Sequence, residues 1–280
     1  MGIRLVVDST ADVTSEIKEK YNIKMVPLSV NFGDDSFLDG IEISTGEFFE
    51  KLAKSEKLPT TSQVPPGKFV EAFSEIIESG DEIIGIFIGS KLSGTYESAR
   101  AAKEIVGSEN IYLIDSESAS LGEFALVMRA IDLIAEKKSA KEIYEILEQE
   151  KEKLEVVIAL DTLMYLEKGG RISKGQAVVG SILGVKPVIQ IKKNKIDAID
   201  KVRGKNKAIK WFDSWIAQNN IDLTNKDVFL FHSQNTEQLK VLKAEFETKY
   251  KTKNIFENEV GCVIGTHVGP GVLAVGFLNN

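Results

Sequence analysis

Short apolar runs alternate with helix-patterned segments through the first half of this 280-residue chain, and that alternation restricts the fold more than any other feature. The run IRLVV (3–7) is the kind of segment that a strand buried on both faces requires. A helix is expected near 14–21, where Thr14 can cap and Ile17 and Tyr21 share a face. KMVPLSVNF (24–32) reads as the next strand. Ser44 with Glu47 makes a capping box for a helix over 45–54. TTSQVPPG (60–67) reads as a break, after which Pro66 opens a helix over 67–79 that Gly80 ends. Strand 83–88, helix 95–106, strand 111–114, a long helix near 119–137 and a helix over 140–153, boxed by Ser139 and Glu142, complete the series. Such alternation implies a mostly parallel sheet with helices on both faces.

The second half is patterned differently. A strand at 156–161 leads into helix-like segments near 162–168 and 173–184. The stretch PVIQIKKNKIDAIDKVR (187–203) reads as a hairpin turning at Lys193 and Asn194. Helices over 205–219 and 235–250 flank VFLFH (228–232). GCVIGTHVGPGVLAVGFL (261–278) reads as two strands joined by Gly269, Pro270 and Gly271. This is a mixed α+β pattern, so two domains are expected, 1–155 and 156–280.

Charge and composition narrow the function. Thirty-five basic residues against 42 acidic ones give a net charge of −7, which repels polyanions and, without a long basic run, argues against nucleic acid as a partner. One cysteine, Cys262, excludes an internal disulfide and a cysteine-based zinc site; its apolar surroundings mark it as a small core residue. No stretch reaches the roughly 18 apolar residues of a membrane span. MGIRLVVDST enters a strand without a signal-peptide core, and Val6 stands where a myristoylation signal needs Ser or Thr. A cytoplasmic protein is expected.

Ligands of open α/β sheets bind where strands end. The loops there are DSTADV (8–13), GSKLSGTY (89–96) and DSESASLGEF (115–124), joined by TTSQ (60–63) and GTHVGPG (265–271). They offer hydroxyls and helix N-terminal amides, the makings of an anion site, although each loop alone is also explained by plain N-capping. No Gly-x4-Gly-Lys-Ser/Thr loop is present, and no dinucleotide fingerprint follows the first strand. Leu92 rather than Gly precedes Ser93, which breaks the nucleophile elbow. Only His232 and His267 could serve as a base, and His232 reads as a structural histidine.

Eight stretches in one order, DSTADV, TTSQVPPGKF, GSKLSGTYESAR, DSESASLG, LMYLEKGGRIS, LGVKPV, KVRGKNKA and THVGPG, resemble the motifs of the DegV family of bacterial fatty-acid-binding proteins over nearly the whole chain. The resemblance implies two α/β domains with a long-chain fatty acid between them. It also implies a role as the acyl-carrying subunit of a fatty acid kinase. A separate ATP-dependent kinase subunit would phosphorylate the carboxylate, giving acyl phosphate for phospholipid synthesis, and the chain itself would need no cofactor and no metal. Carried over by position, Thr61, Ser62, Ser93 and His267 would hold the carboxylate, with Thr95 and the Gly94 backbone beside them. Arg171 and Arg203 would lie near the mouth as positive charge or partner contacts, although Gly204 stands where the family motif often has Thr. Phe124, Met128, Val179, Ile182 and Leu183 are expected to line the tail.

About fifteen buried methylenes at roughly 0.8 kcal/mol each give on the order of 12 kcal/mol before ordering costs, so the tail would supply affinity and the head orientation. A serine esterase or acyltransferase built on Ser93 and His267 is the competing reading.

Overall fold

The computed structural model describes residues 2–174, 184–204 and 207–279. Strand β1 (Ile3–Asp8) lies between β2 (Lys24–Val26) and β6 (Glu82–Phe87), and β7 (Ile111–Asp115) completes a four-stranded sheet in which every pairing is parallel. A small antiparallel sheet joins β3 (Ser29–Phe32) to β4 (Asp35–Leu38) and β5 (Thr60–Ser62). The third sheet is mixed and runs in the order β10 (Lys195–Arg203), β9 (Val185–Lys192), β8 (Leu154–Ala159), β13 (Val272–Leu278), β11 (Asp227–Ser233), β12 (Asn254–Glu259).

Period-2 alternation sorts each central strand onto two cores. In β6, Ile84 and Ile86 face one cluster, while Ile83 and Phe87 face another with α3 (Pro66–Glu78) and α4 (Thr95–Val106). In β8, Val156 and Ile158 face inward, while Val157 and Ala159 pack beneath α8 (Lys207–Gln218) and α9 (Thr236–Lys249). The two inward faces share one core, and α5 (Leu121–Ala135) fills it. The layers are therefore helices, parallel sheet, α5 together with the helix over 140–150, mixed sheet, helices. α5 is apolar nearly all round because it is covered on both sides.

Most expected elements stand where the sequence put them. Both capping boxes form, Ser44 with Glu47 ahead of α2 (Thr45–Lys54) and Ser139 with Glu142 ahead of α6 (Ala140–Glu150). The hairpin turns at Lys193 and Asn194, both at positive φ. Three expectations fail. The strand expected at 24–32 is two strands in different sheets: Pro27 has no N–H to continue the ladder, and the chain changes partners there. The break expected at 60–67 contains β5, three residues paired with β3. The first of the two strands expected in 261–278 is instead helix α10 (Cys262–Val268). An apolar run buried all round carries no period that separates strand from helix, and the carboxylates of Asp12 and Asp39, described below, start the helix. Strand β12 was not anticipated, since NIFENE alternates weakly. The helix expected near 173–184 falls almost wholly outside the described residues.

Phe124 of α5 packs against Phe229, Phe231 and Phe256 in the core between the sheets. Truncation there removes a fully enclosed ring, so Phe124→Ala is expected to cost about 3–5 kcal/mol. Urea denaturation of the two proteins measures the loss; a cost below 1 kcal/mol would place the ring in a yielding cavity rather than the core.

Candidate functional site

A cavity of about 750 Å³, mouth included, opens between the two large sheets, within the usual range for small-molecule sites. It is a slot lined mainly by apolar side chains. Ile158, Ile189 and Ala274 line it from the mixed sheet, Leu121 from α5, and Ile264 and Val268 from α10. Its polar lining residues are Thr61, Ser93, Ser120, Arg171 and His267. Loops after β6 and β7 supply Ser93 and Ser120, as the strand-end rule requires.

The hydrogen bonds around Ser93 fix what it can offer. Gly94 caps α4, and Thr95, fully buried behind it, donates its backbone N–H to Ser93 Oγ at 3.3 Å. The two hydroxyl oxygens are 3.0 Å apart, and Val64 N–H donates to Thr95 Oγ1 at 3.4 Å. With Thr95 O–H turned to Ser93, the acceptor capacity of Ser93 is filled and its own proton is left for a ligand. Thr61 Oγ1 lies 2.9 Å from His267 Nε2, so one of its hydrogen-bonding positions is taken. In the tautomer protonated on Nε2, the ring donates to Thr61, and the Thr61 proton is free.

Burial, then the neighbouring Arg171 charge, pushes the His267 pKa down to about 4, so the ring is neutral near pH 7 and a poor cation. A Cβ at Gly169 would run into His267 Nδ1, so glycine is required where α7 (Met164–Lys168) ends. Arg171 is held by carbonyls: Nε donates to Leu92 O at 3.1 Å and Nη1 to Gly169 O at 2.5 Å.

Thr61, Ser93, Arg171 and His267 thus meet at one place, from β5, the loop after β6, the segment after α7, and α10. Other expected site residues stand elsewhere. Ser62 alternates to the outer face of β5, exposed, and accepts from Asn31 Nδ2 at 3.0 Å. Thr95 supports Ser93 without lining the cavity. Arg203 is exposed at the end of β10, away from the cavity lining. Phe124 belongs to the inter-sheet core, and Met128 borders a separate polar cleft with Arg129 and Glu150. Val179, Ile182 and Leu183 lie outside the described residues. His232 is structural, its Nδ1 accepting from Asn235 N–H at 3.2 Å.

DSTADV does something the sequence did not disclose. Its acids are buried and grip the protein itself. Asp8 accepts from Thr10 and from Ile88 N–H. Asp12 accepts from Ser120 Oγ at 2.5 Å and from Gly261 N–H at 2.9 Å, and Asp39 accepts from Cys262 N–H at 3.1 Å. Ser120, held at φ 53, is a cavity residue that was missed; its one signal was its place in DSESASLG. Thr10 Oγ1 lies 2.5 Å from Asp8 Oδ1 and 2.9 Å from Glu123 Oε2. One hydroxyl proton cannot serve both, so a carboxyl proton fills one contact. Burial raises the Asp8 pKa to about 6 and that of Glu123 well above its ordinary value.

These features define an α/β protein whose two large sheets flank an apolar slot with one polar end. The DegV family model, described as an uncharacterised protein family, matches residues 2–280, and the chain belongs to that family. A DegV domain-containing protein of Caldanaerobacter subterraneus subsp. tengcongensis is 36% identical over 275 residues, 98% of each chain. The structure of a DegV family protein from Thermus thermophilus, described as binding fatty acid, superimposes with a TM-score of 0.92 at 30% identity over 100% of both chains. That of DegV from Bacillus subtilis, described as a fatty acid binding protein, gives 0.88 at 32% identity, again over 100% of both.

The two sets of titrations oppose each other. His267, with its pKa lowered from 6.5 to about 4, refuses a proton that the unfolded chain accepts, so stability falls as pH drops from 6.5 towards 4. Asp8, raised from 3.8 to about 6, stabilises the fold in acid, and that contribution is lost as pH rises through 6. His267→Gln removes only the first effect. Relative to the parent, its melting temperature is expected to rise as pH falls from 6.5 to 4, by the equivalent of roughly 3 kcal/mol. Thermal melts of both proteins across that range test this, and a constant gap would mean that the ring titrates normally.

Proposed function

We propose that this protein binds a long-chain fatty acid in the slot and presents its carboxylate to a separate ATP-dependent kinase. The observation that carries the reading is the pair of hydroxyls, Ser93 and Thr61, that line the polar end of an otherwise apolar slot and can each donate to a ligand's oxygen. A carboxylate only accepts, so it matches them, and a buried one must be hydrogen-bonded. The fatty-acid binding described for the Thermus thermophilus and Bacillus subtilis proteins supports the same ligand. Among the described residues the cation in the slot lining is Arg171, which already donates to two carbonyls, so a carboxylate oxygen stays available as a nucleophile. It attacks the γ-phosphorus of ATP on the partner; the O–P bond forms, the P–O bond to ADP breaks, and acyl phosphate results, which would feed phospholipid synthesis in the cytoplasm. Division into units near residue 155 puts the parallel sheet on one side of the ligand and the mixed sheet on the other.

Mass spectrometry of the purified, denatured protein is expected to find about one fatty acid per chain. A hydrogen bond to a charged group is worth about 1.5–3 kcal/mol, so Ser93→Ala should weaken retention by about tenfold or more; His267→Ala, which leaves Thr61 without its partner, should weaken it as well, and both should depress acyl phosphate formation with the kinase. In a serine esterase, a fluorophosphonate would label Ser93; here Ser93 Oγ bonds to Thr95 rather than to a base, and no labelling is expected. An empty protein that turned over esters would overturn the proposal.

A further inference from the structure

The β9–β10 hairpin lines the slot with Ile189, Ile191 and Ile196, and its tip lies against loops of the parallel sheet. Asn194 stands there at φ 62, in a turn conformation that asparagine tolerates. Turn chemistry explains the residue type but not the direction its side chain takes. Oδ1 accepts the Lys91 N–H at 3.3 Å, and Nδ2 donates to Asp115 Oδ2 at 3.0 Å. These partners lie 103 and 79 positions away in the chain. The Asn194 N–H also donates to Glu117 O at 2.9 Å. Asp115 gives its other oxygen to the backbone N–H groups of Ser90 and Glu117, each at 3.0 Å. Gly89 leaves the room for this, since a Cβ at that position would run into Asn194 Oδ1.

The loop so held is the one that presents Ser93. Leu92 and Ser93 both donate their N–H groups back to Gly89 O, at 2.8 and 3.1 Å. Residues 89–93 therefore form one closed turn, and Asn194 pins its middle at Lys91. We infer that Asn194 is a positioning residue for Ser93, fixing from the mixed sheet the hydroxyl that the parallel sheet offers to the ligand. The inference rests on the carrier reading, in which Ser93 donates to the carboxylate, and deepens it. One hairpin then serves both ends of the bound acid: its isoleucines wall the slot, and its tip sets the head donor. Asparagine suits the task because one short neutral side chain supplies both an acceptor and a donor. Aspartate would keep the acceptor for Lys91 and set a second carboxylate against Asp115.

A double-mutant cycle with Ser93 separates positioning from general support of the wall. Asn194→Gly removes the amide and keeps the turn, because glycine adopts positive φ freely. Calorimetric titration of the delipidated full-length proteins with palmitic acid is expected to show about a fivefold loss of affinity for Asn194→Gly, but less than about twofold when Ser93 is already alanine. Asn194→Asp should lose at least as much as the glycine variant. Lys193→Gly alters the same turn without touching the loop and should stay within about twofold of the parent. In the ligand-free protein, hydrogen exchange at the Lys91 and Ser93 amides should quicken by about tenfold in Asn194→Gly. Equal losses with and without the Ser93 hydroxyl, unchanged affinity, or unchanged exchange would each overturn the inference. A parent protein that fails to bind palmitic acid would instead sink the carrier reading, while the exchange rates still judge Asn194.

Discussion

The last helix hangs on two buried carboxylates. Asp12 takes the Gly261 N–H and Asp39 the Cys262 N–H, which satisfies the first donors of α10 and places acidic groups at the positive end of its dipole. That helix brings His267, Ile264 and Val268 to the slot, and Asp12 also takes the hydroxyl of Ser120 from the opposite wall. One side chain from the loop after β1 therefore ties together the end of the chain and the loop after β7. Burial raises both carboxyls above the ordinary range. Among the described residues neither has a cation beside it, so hydrogen bonds alone compensate them, and the geometry of those donors is tightly constrained.

The polar end of the slot works by the same economy of charge. Neutral hydroxyls line the slot, a neutral imidazole holds Thr61, and Arg171 is fixed by carbonyls a short way off. This arrangement favours an anion without enclosing it in a short ion pair, whose desolvation would be expensive. Gly169 permits it, because the imidazole occupies the space that any other side chain would need. The large apolar walls come from strands whose alternate residues serve separate cores, so the slot is a place where two well-packed faces part rather than a defect in either.

How much of this was readable in advance varies with the range of the cause. Helices α2 and α6 follow from capping boxes four residues long, and the β9–β10 hairpin from two residues that tolerate positive φ. The grouping of Thr61, Ser93, Arg171 and His267 was carried by motif resemblance, and the fold brings the four together. Ser62 and Phe124 went elsewhere because one residue along a strand reverses its face, and because a buried aromatic reads the same whether it meets a ligand or another ring.

The sequence by itself determined the alternation of strands and helices in the first half, the caps and turns, and the family, since each is written in residues close together or in exact strings. Tertiary structure alone decided that GCVIGTHV is a helix, which sheet each half of KMVPLSVNF joins on either side of Pro27, and that the acids of DSTADV face inward. Those outcomes depend on partners up to 249 residues away, as Asp12 is from Gly261, and local propensity carries no information about a donor that distant in the chain.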